Sequence, residues 1–341
     1  MSGRTPTAGP GPEAGEPASP QAGAPAREVR ISAADHGIRL DRWFRRHMPQ
    51  ASFADIARWA RTGQIRLDGR RARPGDRLCE GQRLRIPPIA PSPQAEAAGS
   101  ARAAPLSPEE EAFARGLVIH CDPSVLVLAK PPGLAVQGGT ATRQHVDRLL
   151  EALRFGAPER PRLVHRLDRD TSGVLVVART ARAAAFLSRC FAARETRKIY
   201  WAILVGAVAG ATRRIALSIG RQPGTGGEKM QVTEKGQAAL SLLRVLDRAA
   251  GAATLVEMQP VTGRTHQLRV HAAAIGHPIL GDGKYGGRDA FLAGAVPRRL
   301  HLHARRISIA HPDGGRLDAE APLPDHFLES LARLGLSIPG A

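Results

Sequence analysis

The side chains best suited to chemistry stand together in residues 164–173, which read VHRLDRDTSG. Two carboxylates, Asp168 and Asp170, lie there among basic side chains, and an apolar run follows directly at residues 174–178. Such a run is typical of a buried strand, so the charged segment is predicted to be a loop at the edge of a rigid sheet. Catalytic side chains are commonly carried on loops of this kind.

Two other segments carry cations next to strand-like runs. Lys130 ends one run and is followed by PPGL and then a glycine pair, so exposed amides and one lysine could bind phosphate there. Turns of this composition are also common at strand exits, and this alternative stays open. In the second segment, RKIYWA at residues 197–202, Lys198 and Tyr200 share a strand face, although a strand tyrosine is more often a core residue.

A fourth segment, PVTGRTHQLRVH at residues 260–271, predicts the start of a helix. Thr265 is the predicted N-cap and Gly276 the predicted C-cap, which would place Arg269 and Leu268 on one helical face. Histidines are frequent from here onward: His266, His271, His277, His301 and His303. Because their spacing does not match zinc ligands and carboxylates are sparse nearby, we interpret them as structural hydrogen-bonding residues.

The elements that must position these segments can be read from the hydrophobic pattern. Strand-like runs occur at 126–128, 174–178, 199–205, 254–258 and 307–309, and helix-like runs at 180–194, 265–275 and 324–334. Such interleaving predicts an α+β domain around one large mixed or antiparallel sheet, over residues 116–339.

The N-terminal third has a different organisation. Residues 1–27 and 89–115 are rich in Pro and Ala and lack periodicity, so they are predicted to be a disordered tail and a flexible linker. Between them, residues 28–88 predict a first helix that ends at Pro49, and a second that starts in a capping box at Ser52 and stops at Gly63. Short alternating strands follow, which makes this a small αβ domain.

Charge favours a polyanionic partner. The net charge is +18, from 49 Lys plus Arg against 31 Asp plus Glu, and a field of that sign suits nucleic acid better than a small acidic metabolite. No apolar stretch approaches the roughly 20 residues of a membrane helix, and the N-terminus lacks a signal-peptide core, so a cytoplasmic protein without membrane contact is expected. The three cysteines are too few and too scattered for a disulfide framework or a zinc site.

Together the four segments resemble the RluA-type pseudouridine synthases, which isomerise uridine in RNA. The resemblance implies that Asp168 is the nucleophile, that Tyr200 stacks on the target uracil and helps to remove the C5 proton, and that Arg269 pairs with the catalytic carboxylate, with Arg264 as the second candidate for that pairing. It further implies that Arg166 enters the RNA stack when the target nucleotide flips out. The other cations of this part that are predicted to bind RNA are Lys198, Arg264 and Lys130.

Two points of the resemblance leave questions open. A carboxylate could either add to C6 of the base or capture the sugar at C1′, and the sequence does not choose between these routes. Gln137 stands where the family usually has histidine, which puts any role of that side chain in doubt.

Residues 28–88 resemble the S4 RNA-binding domain. Residues 29–87 hold 14 arginines against 6 acidic residues, and the side chains predicted to contact RNA phosphates are Arg58, Arg61, Arg70 and Arg71. A solvated charged face without a partner is the alternative.

The sequence is thus identified as a member of the RluA-type family with an N-terminal S4 domain, closest in wording to the C type (RluC), which acts on 23S ribosomal RNA. The predicted fold is α+β, a pseudouridine synthase catalytic domain with a large mixed or antiparallel sheet plus a small S4-like αβ domain. RNA is the predicted partner, either 23S rRNA or a large-subunit precursor, with no cofactor, no metal and a monomeric state. The alternative is a non-catalytic S4-type RNA-binding factor in ribosome assembly. A metal-dependent RNA hydrolase would need a carboxylate and histidine cluster that the sequence lacks.

Overall fold

The structure is a computed structural model that describes residues 27–48, 51, 53–88, 105–138, 144–223, 229–294 and 296–338. The chain divides into two compact units, Met1–Pro105 and Leu106–Ala341. Except for Arg27, the predicted disordered tail lies outside the described residues, and so does most of the predicted linker. Within the described ranges, no helix is long and apolar enough to span a bilayer.

The first unit is a small sheet covered on one face by two helices. Its elements are β1 (Arg27–Arg30), a short 3-10 turn (Ala33–Asp35), α1 (Leu40–His47), α2 (Phe53–Thr62), β2 (Arg66–Leu67), β3 (Arg70–Arg71) and β4 (Arg83–Ile86). The strand order is β1-β4-β2-β3, and all described pairings are antiparallel. Leu84 and Ile86 of β4 are buried against Leu40 and Phe44 of α1, while the alternate residues of β4 are exposed.

The second unit contains one large sheet and a two-stranded ribbon. Its strands are β5 (Val118–Cys121), β6 (Val125–Lys130), β7 (Arg162–Leu163), β8 (Ser172–Ala178), β9 (Arg197–Val205), β10 (Thr212–Ala216), β11 (Ile219–Arg221), β12 (Met230–Val232), β13 (Leu240–Ala249), β14 (Ala253–Pro260), β15 (Leu302–Ala310) and β16 (Arg316–Glu320). The large sheet runs β10-β13-β14-β9-β15-β8-β6-β5, with β16 paired to β15 and β7 to β8. Only β8 and β15 pair in parallel among its described strands, so the predicted α+β class with a large mixed sheet is confirmed.

The helices of this unit cover the sheet. They are α3 (Pro108–Gly116), α4 (Val146–Leu149), which continues as a 3-10 turn (Leu150–Leu153), α5 (Ala181–Ala193), α6 (Gln267–Ala274) and α7 (Asp325–Leu334), with a further 3-10 turn at Gly287–Ala290. Thr180 caps α5 by accepting a hydrogen bond from the amide of Ala183. The sequence places α5 and α7 to within one residue at either end.

The prediction that the linker extends to residue 115 is wrong, because α3 begins at Pro108. Ser107 and Glu110 form a capping box, Pro108 occupies the first turn, and Ala114 is buried in the core of the second unit. The proline and alanine content of this segment predicts a linker, although the capping box and the proline in the first turn are sequence signals for the start of a helix.

Candidate active site

The loop that carries Asp168 connects β7 to β8 and is held by backbone contacts. The amide of Thr171 donates to the carbonyl of Asp168 at 3.2 Å, and the amide of Gly133 donates to the carbonyl of Arg169 at 2.9 Å. All seven residues of β8 are buried, so the loop starts from a rigid central strand, as the apolar run predicts.

Gly173, the second residue of β8, lies directly opposite Ala304 of β15. A Cβ at Gly173 would lie 2.2 Å from the backbone oxygen of Ala304, and the residue has φ of 112°. Only glycine fits that contact, so the glycine that closes the VHRLDRDTSG segment sets the distance between two strands of the site.

Lys130 does not occupy the predicted phosphate-binding position. Its side chain is 1 % exposed, and Nζ donates to the carbonyl oxygens of Pro131 and Leu134, each at 2.8 Å, and of Arg169 at 2.9 Å. All three ammonium donors are therefore used, and the prediction that Lys130 binds RNA is wrong. Its contacts instead tie β6 and the turn after it to the Asp168 loop.

Most of the other predicted site residues meet around one cavity of about 410 Å³. Those lining it are Arg166, Asp168, Lys198, Tyr200, Arg264 and Arg269, together with His165, Phe191, His266 and Leu302. A second cavity, of about 750 Å³, shares Asp168, His266 and Arg269 with the first and adds Arg169 and Arg299. The Asp168 carboxylate thus stands where two openings meet.

Asp168 is accessible, whereas Tyr200 is held against the core. The Asp168 side chain is 24 % exposed, so its oxygens can reach a molecule in the cavity. Tyr200 packs against two core clusters on β9, between β14 and β15. Burial raises the pKa of the Tyr200 phenol above its usual value, and the nearby charge of Asp168 adds to that rise. The ring is therefore a neutral phenol at neutral pH.

Three cations border the cavity with donors available. Among the described residues, neither Arg166, which is exposed, nor Lys198 has an ion-pair partner within 4 Å. Burial lowers the pKa of the Lys198 amine from its usual value, and the charge of Arg194 lowers it further. Arg264 also lines the cavity and donates from Nε to the carbonyl of Ala238 at 3.2 Å, a bond that does not use its terminal nitrogens.

Arg269 lines the cavity but pairs with another carboxylate. Its Nε and Nη2 donate to the two oxygens of Asp282 at 2.8 and 2.7 Å, and the two side chains are 8 % and 1 % exposed. The prediction that Arg269 pairs with Asp168 is therefore wrong in this structure. Burial tends to lower the pKa of Arg269, but the hydrogen bonds and charge of Asp282 outweigh it and raise that pKa. The guanidinium remains near enough to Asp168 for its charge to be felt there.

His266 faces Asp168, a position that the sequence did not assign to it. Its Nε2 lies 3.7 Å from Oδ2 of Asp168, and its Nδ1 lies 2.6 Å from the hydroxyl of Tyr285. The residue has a left-handed backbone conformation, with φ of 53°, and precedes α6 as its N-cap. The prediction that Thr265 caps this helix is thus wrong, because the turn before it ends one residue later than the capping pattern indicated.

The remaining four histidines are hydrogen-bonded as predicted. His271 contacts Ser241 and Leu217, His277 contacts the carbonyl of Val205, and His301 contacts Leu280 and Ser330. His303 contacts the hydroxyl of Ser172 at 2.9 Å and the carbonyl of Ala321 at 3.3 Å. Across the part of the chain that the structure describes, no three potential ligands are grouped as a metal site would require.

The predicted RNA-binding arginines of the first unit differ in their surroundings. Arg58 forms an ion pair with Asp55 at 2.7 Å, one turn earlier on α2. Arg61, Arg70 and Arg71 are exposed, on α2 and on the β2–β3 hairpin.

Comparison with known proteins agrees with the geometry of the larger unit. Residues 124–274 match the family described as RNA pseudouridylate synthase. The chain is 34 % identical over 314 residues to the ribosomal large subunit pseudouridine synthase C of Escherichia coli (strain K12), an alignment that covers 90 % of this chain and 96 % of the relative. It is 36 % identical over 317 residues to the ribosomal large subunit pseudouridine synthase D of Pseudomonas aeruginosa, over 87 % and 92 % of the two chains.

A solved structure is similar as well. Human RNA pseudouridylate synthase domain containing 4 aligns with a TM-score of 0.56 and 30 % identity, over 68 % of this chain and 99 % of the human chain.

Proposed function

Because the chain belongs to the RluA-type family of RNA pseudouridine synthases, we propose that it converts specific uridines of large-subunit ribosomal RNA to pseudouridine. The enzyme is an isomerase that breaks the bond from ribose to N1 and joins C5 of the same uracil to the ribose. The observation that carries the proposal is the accessible Asp168 carboxylate at the junction of two cation-lined openings, beside the ring of Tyr200. The matched relatives are named as pseudouridine synthases, which does not favour the alternative of a non-catalytic RNA-binding factor.

Asp168 is the proposed nucleophile. A carboxylate at this position can add to C6 of the uracil, after which the N1–C1′ bond breaks, or it can displace N1 from C1′ of the ribose. In either route the base then turns, C5 bonds to C1′, the bond to Asp168 breaks, and the C5 proton is lost while N1 gains one. Both routes need the ionised carboxylate.

Tyr200 is proposed to bind the target base by stacking. Its side chain extends from a central strand and packs against the core, so the orientation of the ring is fixed. A flat aromatic ring held in this way is suited to stacking on a flat uracil. The raised pKa of its phenol argues against a phenolate base. To assist removal of the C5 proton, the hydroxyl would have to pass its own proton on in the same step.

Arg166, Lys198 and Arg264 are proposed to hold the RNA around the flipped nucleotide. A target base in a paired or stacked RNA is covered by its neighbours, so it must leave the stack to reach Asp168. Arg166 is exposed and two residues from Asp168, so it can occupy the vacated position, while the other two cations meet phosphates.

The first unit is proposed to act as an S4-type RNA-binding domain, and the whole protein as a cytoplasmic monomer that needs neither metal nor cofactor. The C-type set of target sites stays a prediction, since relatives named C and D are about equally similar, at 34 % and 36 % identity.

The test is pseudouridine formation on an unmodified transcript of 23S rRNA in the presence of a chelator, mapped by a base-specific chemical probe. Asp168→Asn is expected to abolish new pseudouridines while RNA affinity is kept. Asp313→Asn, at an exposed carboxylate that lines neither cavity, is the control for loss of one carboxylate and is expected to keep activity. Full turnover by Asp168→Asn would refute the assignment.

A further inference from the structure

The outer face of the small sheet in the first unit carries arginines in register with one another. Arg85 of β4 lies directly opposite Arg66 of β2, and Arg66 lies directly opposite Arg71 of β3. In the neighbouring row, Arg83 of β4 lies opposite Arg30 of β1. With strands about 4.8 Å apart, three adjacent arginine Cα atoms span ~10 Å. We call these five residues the arginine face.

The two helices do not cover the arginine face. Residues of β4 alternate between exposed and buried, and the buried ones, Leu84 and Ile86, pack in the core cluster that contains α1 residues. Because strand side chains alternate between faces, Arg83 and Arg85 point away from the helices. All five arginines are exposed.

Carboxylates offset only a small part of the charge on this face, because it carries five arginines against one glutamate, Glu28. The nearest acids in the register are Glu28, opposite Arg85, and Asp68, which accepts the backbone amide of Arg83. Among the described residues, none lies within the 4 Å of an ion pair from the arginine face, whereas ion pairs do occur at α1 and α2 of the same unit.

Like charges directly opposite each other on a sheet are destabilising. Arg66 relieves part of this by donating to the carbonyls of Gly63 and Gly69, at 3.3 and 3.2 Å. Arg71 also reaches Gly63, because its guanidinium nitrogens lie 3.0 and 3.1 Å from where a Cβ of that glycine would be. Two guanidinium groups therefore meet at one point beyond the end of α2, and most of their donors stay available.

We propose that the arginine face contacts the phosphate backbone of the RNA substrate, an inference that rests on the proposed function. Guanidinium groups bind phosphate through paired hydrogen bonds, and a row of them follows a backbone without reading its bases. This surface differs from the exposed side of the helices, where Arg58 is already paired with Asp55. Phosphates would also remove the repulsion that the free sheet contains.

The test compares two double variants of the full chain that each lose two positive charges. Arg83→Gln with Arg85→Gln alters the arginine face, and Arg42→Gln with Arg45→Gln alters the exposed side of α1. Binding of each to the 23S transcript is measured from low to high salt. The first pair is expected to bind about tenfold more weakly, with a salt slope reduced by about 0.7 for each lost contact to single-stranded RNA. The second pair is expected to bind as the wild type does.

Two controls distinguish loss of the proposed contact from other causes of weaker binding. Arg83→Lys with Arg85→Lys keeps the charge and is expected to keep most of the affinity and the salt slope, which separates loss of charge from misfolding. Pseudouridine formation by the wild type on the same transcript tests the proposed function separately from the binding of the variants.

The outcomes are distinct. Equal affinity for wild type and the Arg83 and Arg85 glutamine pair would overturn the proposal. An equal loss for both glutamine pairs would overturn it too, because affinity would then depend on net charge and not on this face. If only the Arg83 and Arg85 glutamine pair lost RNA affinity while the wild type formed no pseudouridine, the proposed function would be refuted, but the arginine face would still be an RNA-binding surface.

Discussion

Nε2 of His266 lies 3.7 Å from Oδ2 of Asp168, and the opposite nitrogen of the same ring lies 2.6 Å from the hydroxyl of Tyr285. The Tyr285 hydroxyl accepts the amide hydrogen of Met230, so its own proton can be donated to Nδ1 of His266. That arrangement leaves the hydrogen of His266 on Nε2, facing Asp168. Burial lowers the pKa of His266, although the charge of Asp168 opposes this, so the ring is neutral and its Nε2 hydrogen faces the carboxylate.

If this pair positions Asp168, then His266→Asn and Tyr285→Phe should each lower the single-turnover rate of pseudouridine formation. The separation of 3.7 Å is too long for a hydrogen bond and is expected to shorten when RNA is bound. Because both substitutions interrupt one chain of contacts, the double variant should be less impaired than the product of the single effects, with a coupling energy of about 0.5–3 kcal/mol. Strictly multiplicative effects, at unchanged RNA affinity, would argue against a shared role.

The buried pair of Arg269 and Asp282 predicts a loss of stability when either partner is neutralised. Asp282→Asn leaves a buried guanidinium without its counter-charge, and such changes cost about 3–5 kcal/mol of unfolding free energy. Replacing both residues, as Arg269→Met with Asp282→Leu, should recover much of that loss in urea unfolding.

The same double variant also tests the role of Arg269 in catalysis. If its charge acts on Asp168 as well, the double variant should regain stability but form no pseudouridine. A stable and active double variant would show that Arg269 serves the fold alone.

Substitution of Lys130 is expected to affect the stability of the fold and not a contact with phosphate. Burial lowers its pKa to about 7, against the charges of Asp170 and Asp168, yet three carbonyl acceptors need the three donors that only the ammonium form has. Lys130→Met should therefore lower the unfolding free energy by about 2–4 kcal/mol and slow catalysis by loosening the Asp168 loop. The salt slope of RNA binding should not change.

Lys235→Met, at an exposed lysine, is the control for loss of one positive charge. If Lys130→Met instead kept its stability and bound RNA with a shallower salt slope, the phosphate role inferred from the sequence would be restored.

The sequence predicts those parts of the site that depend only on neighbouring residues in the chain. The apolar run after residue 173 is continuous, so β8 and the loop before it could be placed, and strand alternation put Lys198 and Tyr200 on one face. Both bear directly on the cavity.

What the sequence missed depends on contacts between distant segments. Arg269 pairs with Asp282 and not with Asp168, because the turn after α6 brings Asp282 back to the helix. No local spacing in the sequence predicts which of the two carboxylates Arg269 pairs with. Lys130 and the carbonyl of Arg169 meet across 39 residues. The spacing of the histidines predicts a structural role for His266, and a single histidine is only a weak sequence signal for a left-handed residue before a helix.

His303 predicts acid sensitivity of the larger unit. It accepts from the hydroxyl of Ser172 at the start of β8 and donates to the carbonyl of Ala321, which requires the neutral ring. Burial lowers its pKa to about 4, well below the ordinary value of 6.5, so the unfolded chain binds the extra proton between these two values. Stability from this residue is therefore complete above pH 6.5 and is lost as the pH falls toward 4, by at most about 1.4 kcal/mol per pH unit.

His303→Gln keeps a donor toward Ala321 and removes the titration. In urea unfolding at a series of pH values, the variant should be less stable than the wild type at pH 7.5, and the difference should shrink as the pH approaches 4. His301, whose pKa burial also lowers to about 4, keeps a similar dependence in both proteins and serves as the internal reference. Parallel curves for wild type and variant across this range would mean that His303 does not link protonation to the contact between β8 and β15.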